Sequence, residues 1–258
     1  LPRLLFYCIW LPSSRRVWLW VAIAVSSALF LTFIYSVFVT RVNYKINEVE
    51  LYFENLPIEF NGYRVAFISD IHIGSMISPV EQLDEINGII DRNNVDLILF
   101  GGDMINIHHS EINEPPLGVY SHFKASDGVF MVFGNHDTGA YVKNSNKAKR
   151  STNMDTLQVK MERACWVVLI YSTIYIHKKK GTISVTGIDY NEELLKYKHS
   201  TDAVKGVDID NIYNNVSGSV FNITVSHLPQ LWHSLHESGY SDLTLSGHVH
   251  AMQMKIGG

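Results

Sequence analysis

The chain has 258 residues, 47% hydrophobic and 18% charged, enough for one large domain or two small ones with a sizeable buried core. A net charge of −4 gives no general argument for nucleic-acid binding. The two cysteines, Cys8 and Cys165, lie far apart, one in an apolar N-terminal region and one in the polar remainder, which argues against a disulfide framework.

Leu4 to Leu11 is apolar and reads as the end of an earlier membrane helix, so residues 1–16 become that end plus a loop at Pro12-Ser-Ser-Arg-Arg. Residues 17–39 then run 23 positions without a charge. A helix of that length rises about 34 Å, enough for a hydrocarbon core of about 30 Å. Trp18, Trp20 and Tyr35 suit the interfacial belts at its ends. The span predicts a protein integral to the cell membrane with the lipid bilayer as partner. Arg15 and Arg16 on one side nearly balance Arg41 and Lys45 on the other, so the side of the following domain stays open.

Residues 40–60 form a connector. Within it Glu48-Val-Glu-Leu-Tyr-Phe-Glu alternates as a half-exposed strand does. From residue 61 onward, short apolar runs alternate with polar stretches. Arg64-Val-Ala-Phe-Ile, Asp96-Leu-Ile-Leu-Phe, Val129-Phe-Met-Val-Phe, Trp166-Val-Val-Leu-Ile, Ile183-Ser-Val-Thr, Phe221-Asn-Ile-Thr-Val and Leu243-Thr-Leu predict strands. Pro79 to Asn94 predicts a helix, with Ser78 as cap and Val80, Leu83, Ile86, Ile89 and Ile90 at helical spacing. A strand, helix, strand opening implies a parallel pair, and later short links imply a mixed sheet. The stretch Tyr141 to Arg163 reads as a basic loop, and Lys178-Lys-Lys-Gly181 as a solubilising hairpin turn.

Polar blocks close these strands. They are Ser-Asp70-Ile-His72, Gly-Gly-Asp103, Gly-Asn135-His136-Asp137, Ser-His227-Leu-Pro and Gly-His248-Val-His250. Residues on loops after parallel strands converge at the carboxyl edge of a sheet. Asp70 and His72, like His248 and His250, stand two apart, so in extended backbone both would project to one side. Imidazole and carboxylate together suit a divalent Mn, Fe or Zn ion. Each block alone is an ordinary turn.

Together and in this order, over about residues 60 to 252, the blocks make the chain similar to the calcineurin-like metallophosphoesterases. The resemblance implies an α/β fold of two mixed sheets sandwiched and flanked by helices, here in residues 61–258. It implies two divalent metal ions, Mn²⁺ first, and a phosphoester substrate. Asp70, His72, Asp103 and His250 would hold one ion, and Asp103, Asn135, His227 and His248 the other, with Asp103 bridging. His136 would face the leaving group and Asp137 would orient it. Relatives usually carry further strands beyond the last motif. With no initiating methionine either, a fragment clipped at both ends is expected. Ala251-Met252 stands where membrane-linked relatives usually have a glycine pair.

Lys143, Lys147, Lys149 and Arg150 follow the Asn-His-Asp block and could hold a second phosphate or an anionic head group. The chain resembles most the membrane-linked branch, which includes bacterial enzymes that cleave UDP-2,3-diacylglucosamine. The leading expectation is therefore hydrolysis of a phosphodiester or pyrophosphate in a lipid-linked molecule. A tethered phosphatase for soluble or protein phosphoesters and a non-catalytic scaffold are the alternatives. Oligomeric state is not legible.

Overall fold

A computed structural model describes residues 13–190, 212–213, 216 and 218–249. The chain divides into two compact units, Leu1–Val49 and Glu50–Gly258. The Leu4–Leu11 segment, His250 and Ala251-Met252 lie outside the described residues.

In the first unit, helix α1 spans Ser13–Phe38 and a 3₁₀ turn follows at Thr40–Val42. The apolar helical stretch runs from Arg15 to Val42 with a mean hydropathy of 2.2, and none of it is buried. From Val17 to Phe38 it carries no charged side chain on any face, so no face distinguishes a protein core from solvent. The hydroxyls inside it are satisfied locally. Thr32 Oγ1 donates to the Ala28 carbonyl and Ser36 Oγ to that of Thr32, at 2.8 and 2.9 Å.

Among the described residues the second unit holds two four-stranded sheets. In the first, β1 (Val65–Ile68), β2 (Leu97–Phe100), β3 (Val129–Met131) and β4 (Val167–Val168) run parallel in sequence order. In the second, β5 (Ser172–Lys178) pairs antiparallel with β6 (Gly181–Ile188). Then β7 (Phe221–Ser226) and β8 (Leu243–Ser246) continue parallel. Only the second sheet is mixed. Among the described residues the unit's α-helices are α2 (Pro79–Arg92), α3 (Pro116–Tyr120), α4 (Lys147–Arg163) and α5 (Trp232–Ser238).

The two-residue period of β2 explains the layering. Leu97 and Leu99 enter the core between the sheets with Phe130, Val132, Ile183, Val185, Ile223 and Val225. Ile98 and Phe100 point the other way, into a core with Leu83 and Ile90 of α2, Leu157 and Met161 of α4, and Trp166. A strand buried on both faces reads as a continuous apolar run, as Leu-Ile-Leu-Phe does. The outward residues of β6 and β7 are polar yet buried. Asn222 Nδ2 donates to Ser184 Oγ and Thr186 Oγ1, both at 2.8 Å, and Thr224 Oγ1 donates to Asn222 Oδ1 at 2.9 Å. These bonds replace the water that an exposed strand face would meet.

Several expectations change. Glu48–Glu54 is not a strand: alternation supplies two faces but no ladder partner, and Phe53 and Leu56 instead pack on the inter-sheet core. The Ser78 side chain makes no cap bond; its carbonyl accepts from Gln82 N at 3.0 Å. Most of the basic stretch after Tyr141 is helix α4, whose Asn153, Leu157 and Met161 form a buried stripe. Lys178 is not merely solubilising. Its Nζ lies 3.0 Å from Asp96 Oδ1, 3.6 Å from Asp127 Oδ2 and 4.4 Å from the Tyr63 ring centroid. These partners precede β2, β3 and β1, so Lys178 ties the second sheet to the amino edge of the first.

Candidate metal centre

The opposite edge carries the polar blocks. Asp70 follows β1, Asp103 follows β2, Asn135 and His136 follow β3, His227 follows β7 and His248 follows β8. Turning sharply out of a strand demands unusual backbone. Asp70, His72, Asp103 and His248 all have left-handed φ, between 47° and 69°. Side-chain-bearing residues adopt that region at a cost, which the surrounding structure must cover. The positive φ at Asp70 and His72 replaces the extended segment expected there. Gly102, at φ 94°, lies so close to the next turn that a Cβ would come within 2.6 Å of Gly134 N.

Two groups of potential ligand atoms form here, each within 4.8 Å: His72, Asp103 and His136, and Asp103, His227 and His248. Asp103 is common to both. Its Oδ2 lies 3.6 Å from His72 Nε2 and 3.2 Å from His227 Nε2, and its Oδ1 accepts from His136 N at 2.8 Å. Burial alone would raise the Asp103 carboxyl, but the His227 contact and the His136 N–H outweigh it and hold the group below its ordinary value.

The donor set fits a divalent cation. His227 Nδ1 bonds the Gly101 carbonyl at 2.8 Å, which turns Nε2 inward. That nitrogen meets Asn135 Oδ1 at 3.0 Å, Asp103 Oδ2 at 3.2 Å and His248 Nδ1 at 3.2 Å. Asn135 Oδ1 also lies 2.9 Å from His248 Nδ1. Four electron-rich atoms thus converge. Burial acts to lower His227, yet the Asp103 contact and the Gly101 carbonyl outweigh it and raise the imidazole. A divalent ion would serve all four of these atoms at once.

Asp70 joins through backbone: both its oxygens accept from His248 N at 3.2 Å, and Ser69 Oγ donates to Oδ2 at 2.6 Å. His136 stands edge-on to His72, ring centroids 4.7 Å apart. His250 lies outside the described residues, so its part in the cluster has no geometry here. Lys143, Lys147 and Lys149 are exposed and Arg150 half-buried. Lys149 Nζ donates to Asn144 O and Arg150 Nε to Ser145 Oγ, at 3.2 and 3.3 Å.

Asp137 does not orient His136. Its buried carboxylate accepts from four backbone N–H groups: Asp103 and Gly134 at 2.8 and 2.9 Å, Met104 and Ile105 at 2.9 and 3.2 Å. No acceptor capacity remains for the imidazole. Burial and the neighbouring Asp103 push Asp137 up to about 7, against the Gly134 and Ile105 N–H groups and His227. His136 Nδ1 instead bonds the carbonyl of Asn106. Asn106, and Glu111 and Tyr141 beside it, carried no motif signal. Adjacency in sequence says nothing about which way a side chain leaves a turn.

A family model described as calcineurin-like phosphoesterase matches residues 63–252. The chain belongs to that family. Membership makes the domain a metal-dependent phosphoesterase by class, and the His and Asp clusters fit the divalent ions that class uses. An uncharacterized metallophosphoesterase of Helicobacter pylori is 27% identical over 210 residues, 81% of this chain and 50% of its own length. A transmembrane protein with metallophosphoesterase domain from Danio rerio is 26% identical over 215 residues, 81% of this chain and 45% of its own. The chain therefore spans about half the length of these relatives. The phosphopantetheinyl hydrolase of Mycobacterium tuberculosis aligns over 73% of this chain and 83% of its own at 13% identity and TM-score 0.46.

Proposed function

We propose that this protein is a membrane-anchored, binuclear phosphohydrolase that cleaves a phosphodiester or pyrophosphate bond in a lipid-linked substrate. The observation that carries the two-metal reading is the position of Asp103, whose carboxylate belongs to both ligand groups. Asp70, His72, Asp103 and His250 hold one ion; Asp103, Asn135, His227 and His248 hold the other. Mn²⁺ is the first choice, with Fe and Zn²⁺ compatible with the same donors. When bound, the metal pair supplies Lewis acidity at the phosphoryl oxygens and activates water at neutral pH.

His136 serves the leaving oxygen. With Nδ1 committed to the Asn106 carbonyl, Nε2 is the nitrogen left to hand over a proton or stabilise charge. Lys143, Lys147, Lys149 and Arg150 attract the anionic part of the substrate. The exposed α1, uncharged from Val17 onward, supports anchoring, and the name of the Danio rerio relative is consistent with it. A substrate held in the same bilayer meets the site without free diffusion.

The test is Mn²⁺-dependent hydrolysis of bis(p-nitrophenyl) phosphate by the full-length protein in detergent, then a screen of lipid-linked pyrophosphates. Wild-type turnover that disappears in Asp103→Ala is the expected result. Full activity on soluble diesters with none on any lipid substrate would remove the lipid part of the proposal. Mn²⁺ binding without turnover would favour the scaffold.

A further inference from the structure

We propose that Tyr141 is a positioning residue that holds the Asn135 amide and the His136 ring in register with each other. The inference rests on the metal-site reading above. Tyr141 is 54% exposed, and burial gives no reason for its orientation. Its polar and aromatic contacts do. The hydroxyl oxygen accepts from Asn135 Nδ2 at 3.0 Å, and the ring stacks on His136 with centroids 4.3 Å apart and planes 22° apart.

The hydroxyl acts on the metal side. Asn135 is buried, and its Oδ1 faces His227 Nε2 and His248 Nδ1. A side-chain amide has a donor edge and an acceptor edge, and only the acceptor edge is a ligand. Tyr141 gives the donor edge a partner on the outside. Without it, the donor edge loses the partner that keeps Oδ1 turned toward His227 and His248, and the amide is free to rotate from its ligand pose.

The ring acts on the leaving-group side. His136 is fixed at Nδ1 by the Asn106 carbonyl, but one hydrogen bond leaves the plane free to rock about it. His72 meets the ring edge-on at an interplanar angle of 87° and Tyr141 meets it nearly face to face. Two perpendicular neighbours fix the plane.

The loop carrying Tyr141 is itself tied down. Thr138 Oγ1 donates to Asn135 O at 2.7 Å, Ser145 Oγ to Gly139 O at 2.9 Å, and Asn153 Nδ2 of α4 to Asp137 O at 2.8 Å. Gly139 has φ 70°, and a Cβ there would meet Asn153 at 2.9 Å, so the loop closes against the helix only with glycine.

The experiment uses full-length protein in detergent, calorimetric Mn²⁺ titration, thermal melting, and the pH profile of bis(p-nitrophenyl) phosphate hydrolysis. Four variants are compared: Tyr141→Phe, Asn135→Ala, the double variant and Tyr141→Leu. Tyr141→Phe keeps the stack and loses the acceptor; Mn²⁺ binding should weaken about 10-fold, the low end for a residue behind a ligand, with the pH profile unmoved. In the Asn135→Ala background the same change should have no effect on the residual Mn²⁺ affinity, because no amide is left for the hydroxyl to hold. Tyr141→Leu should shift the pH profile as well. Equal losses in both backgrounds, or no loss in Tyr141→Phe, would overturn the proposal. Wild type that binds no Mn²⁺ would overturn the metal-site reading and this inference with it.

Discussion

The backbone carbonyl of Asn106 lies 2.5 Å from Nδ1 of His136. The position of that carbonyl depends on Glu111. The Glu111 carboxylate accepts from Asn106 N and Ile107 N, each at 2.7 Å, and from His108 N at 3.0 Å, gathering three consecutive amides into one turn. Glu111→Ala leaves those donors without partners. We expect a loss of about 1–3 kcal/mol in stability, the usual cost of unmade hydrogen bonds. Activity should fall through kcat, with Mn²⁺ affinity nearly intact, because the turn supports His136 and not the shared Asp103. Chemical denaturation and steady-state kinetics check this together. Unchanged values of both would mean that the turn holds without Glu111.

His136 belongs to a ligand-atom group with His72 and Asp103, yet the proposed role is at the leaving group. His136→Ala and His227→Ala distinguish ligand from leaving-group residue. His136→Ala should retain two Mn²⁺ per chain while kcat drops about 10²–10⁴-fold, the range for losing a general acid. His227→Ala should lose metal. Stoichiometry by elemental analysis decides, and fewer than two ions in His136→Ala would make His136 a ligand.

Asp137 should behave as a structural hub. Its four backbone partners come from the turns after β2 and β3, so it locks the Asp103 turn to the Asn135 turn. Asp137→Asn puts an N–H₂ group against N–H donors. A cost of about 3 kcal/mol or more is expected, in the class of broken buried networks. Melting of the purified variant measures it. A stable variant impaired only in kcat would instead return Asp137 to the role of orienting His136.

The metal-ligand pattern was legible because its residues leave strands directly, so spacing along the chain maps onto one sheet edge. Strands with both faces buried, such as Leu97–Phe100, were legible for a similar reason. Helix α4 was not, because its buried stripe is narrow, Asn153, Leu157 and Met161, within seventeen mostly polar residues. Strand β5 was legible only as the first arm of the Lys178-Lys-Lys-Gly181 hairpin, because only Ile176 of Ser172–Lys178 is buried. The partners of His136 were invisible for a different reason. Asn106 acts through a carbonyl and Tyr141 through a stack, and neither leaves a residue-type signature.

Bound metal should also stabilise the fold. An ion that binds only the folded state adds about 2.7 kcal/mol at one hundred times its dissociation constant. Thermal melting should therefore rise with Mn²⁺ and fall with a chelator in wild type. In Asp103→Ala, which removes the carboxylate shared by both groups, the transition should be indifferent to either. A metal-dependent shift that survives in Asp103→Ala would place the stabilising ion elsewhere.

The clamp at the amino edge gives a pH prediction independent of the metal cluster. Burial acts to raise Asp96, but the Arg64 N–H and Lys178 outweigh it, so its carboxyl is held below the ordinary value. A carboxylate depressed by folding contributes stability that is full above its unfolded value, near 4, and is lost as pH falls through the folded one. Lys178→Met removes the cation and leaves the stem packed on Tyr63. Because both partners are partly exposed, the loss at pH 7 should be at most about 1 kcal/mol. The difference between variant and wild type should shrink as pH falls below 4 and through the depressed Asp96 value. Urea unfolding in the presence of chelator, from pH 7 to pH 3, follows the two curves. Curves that run parallel through that range would mean that Lys178 stabilises by packing alone.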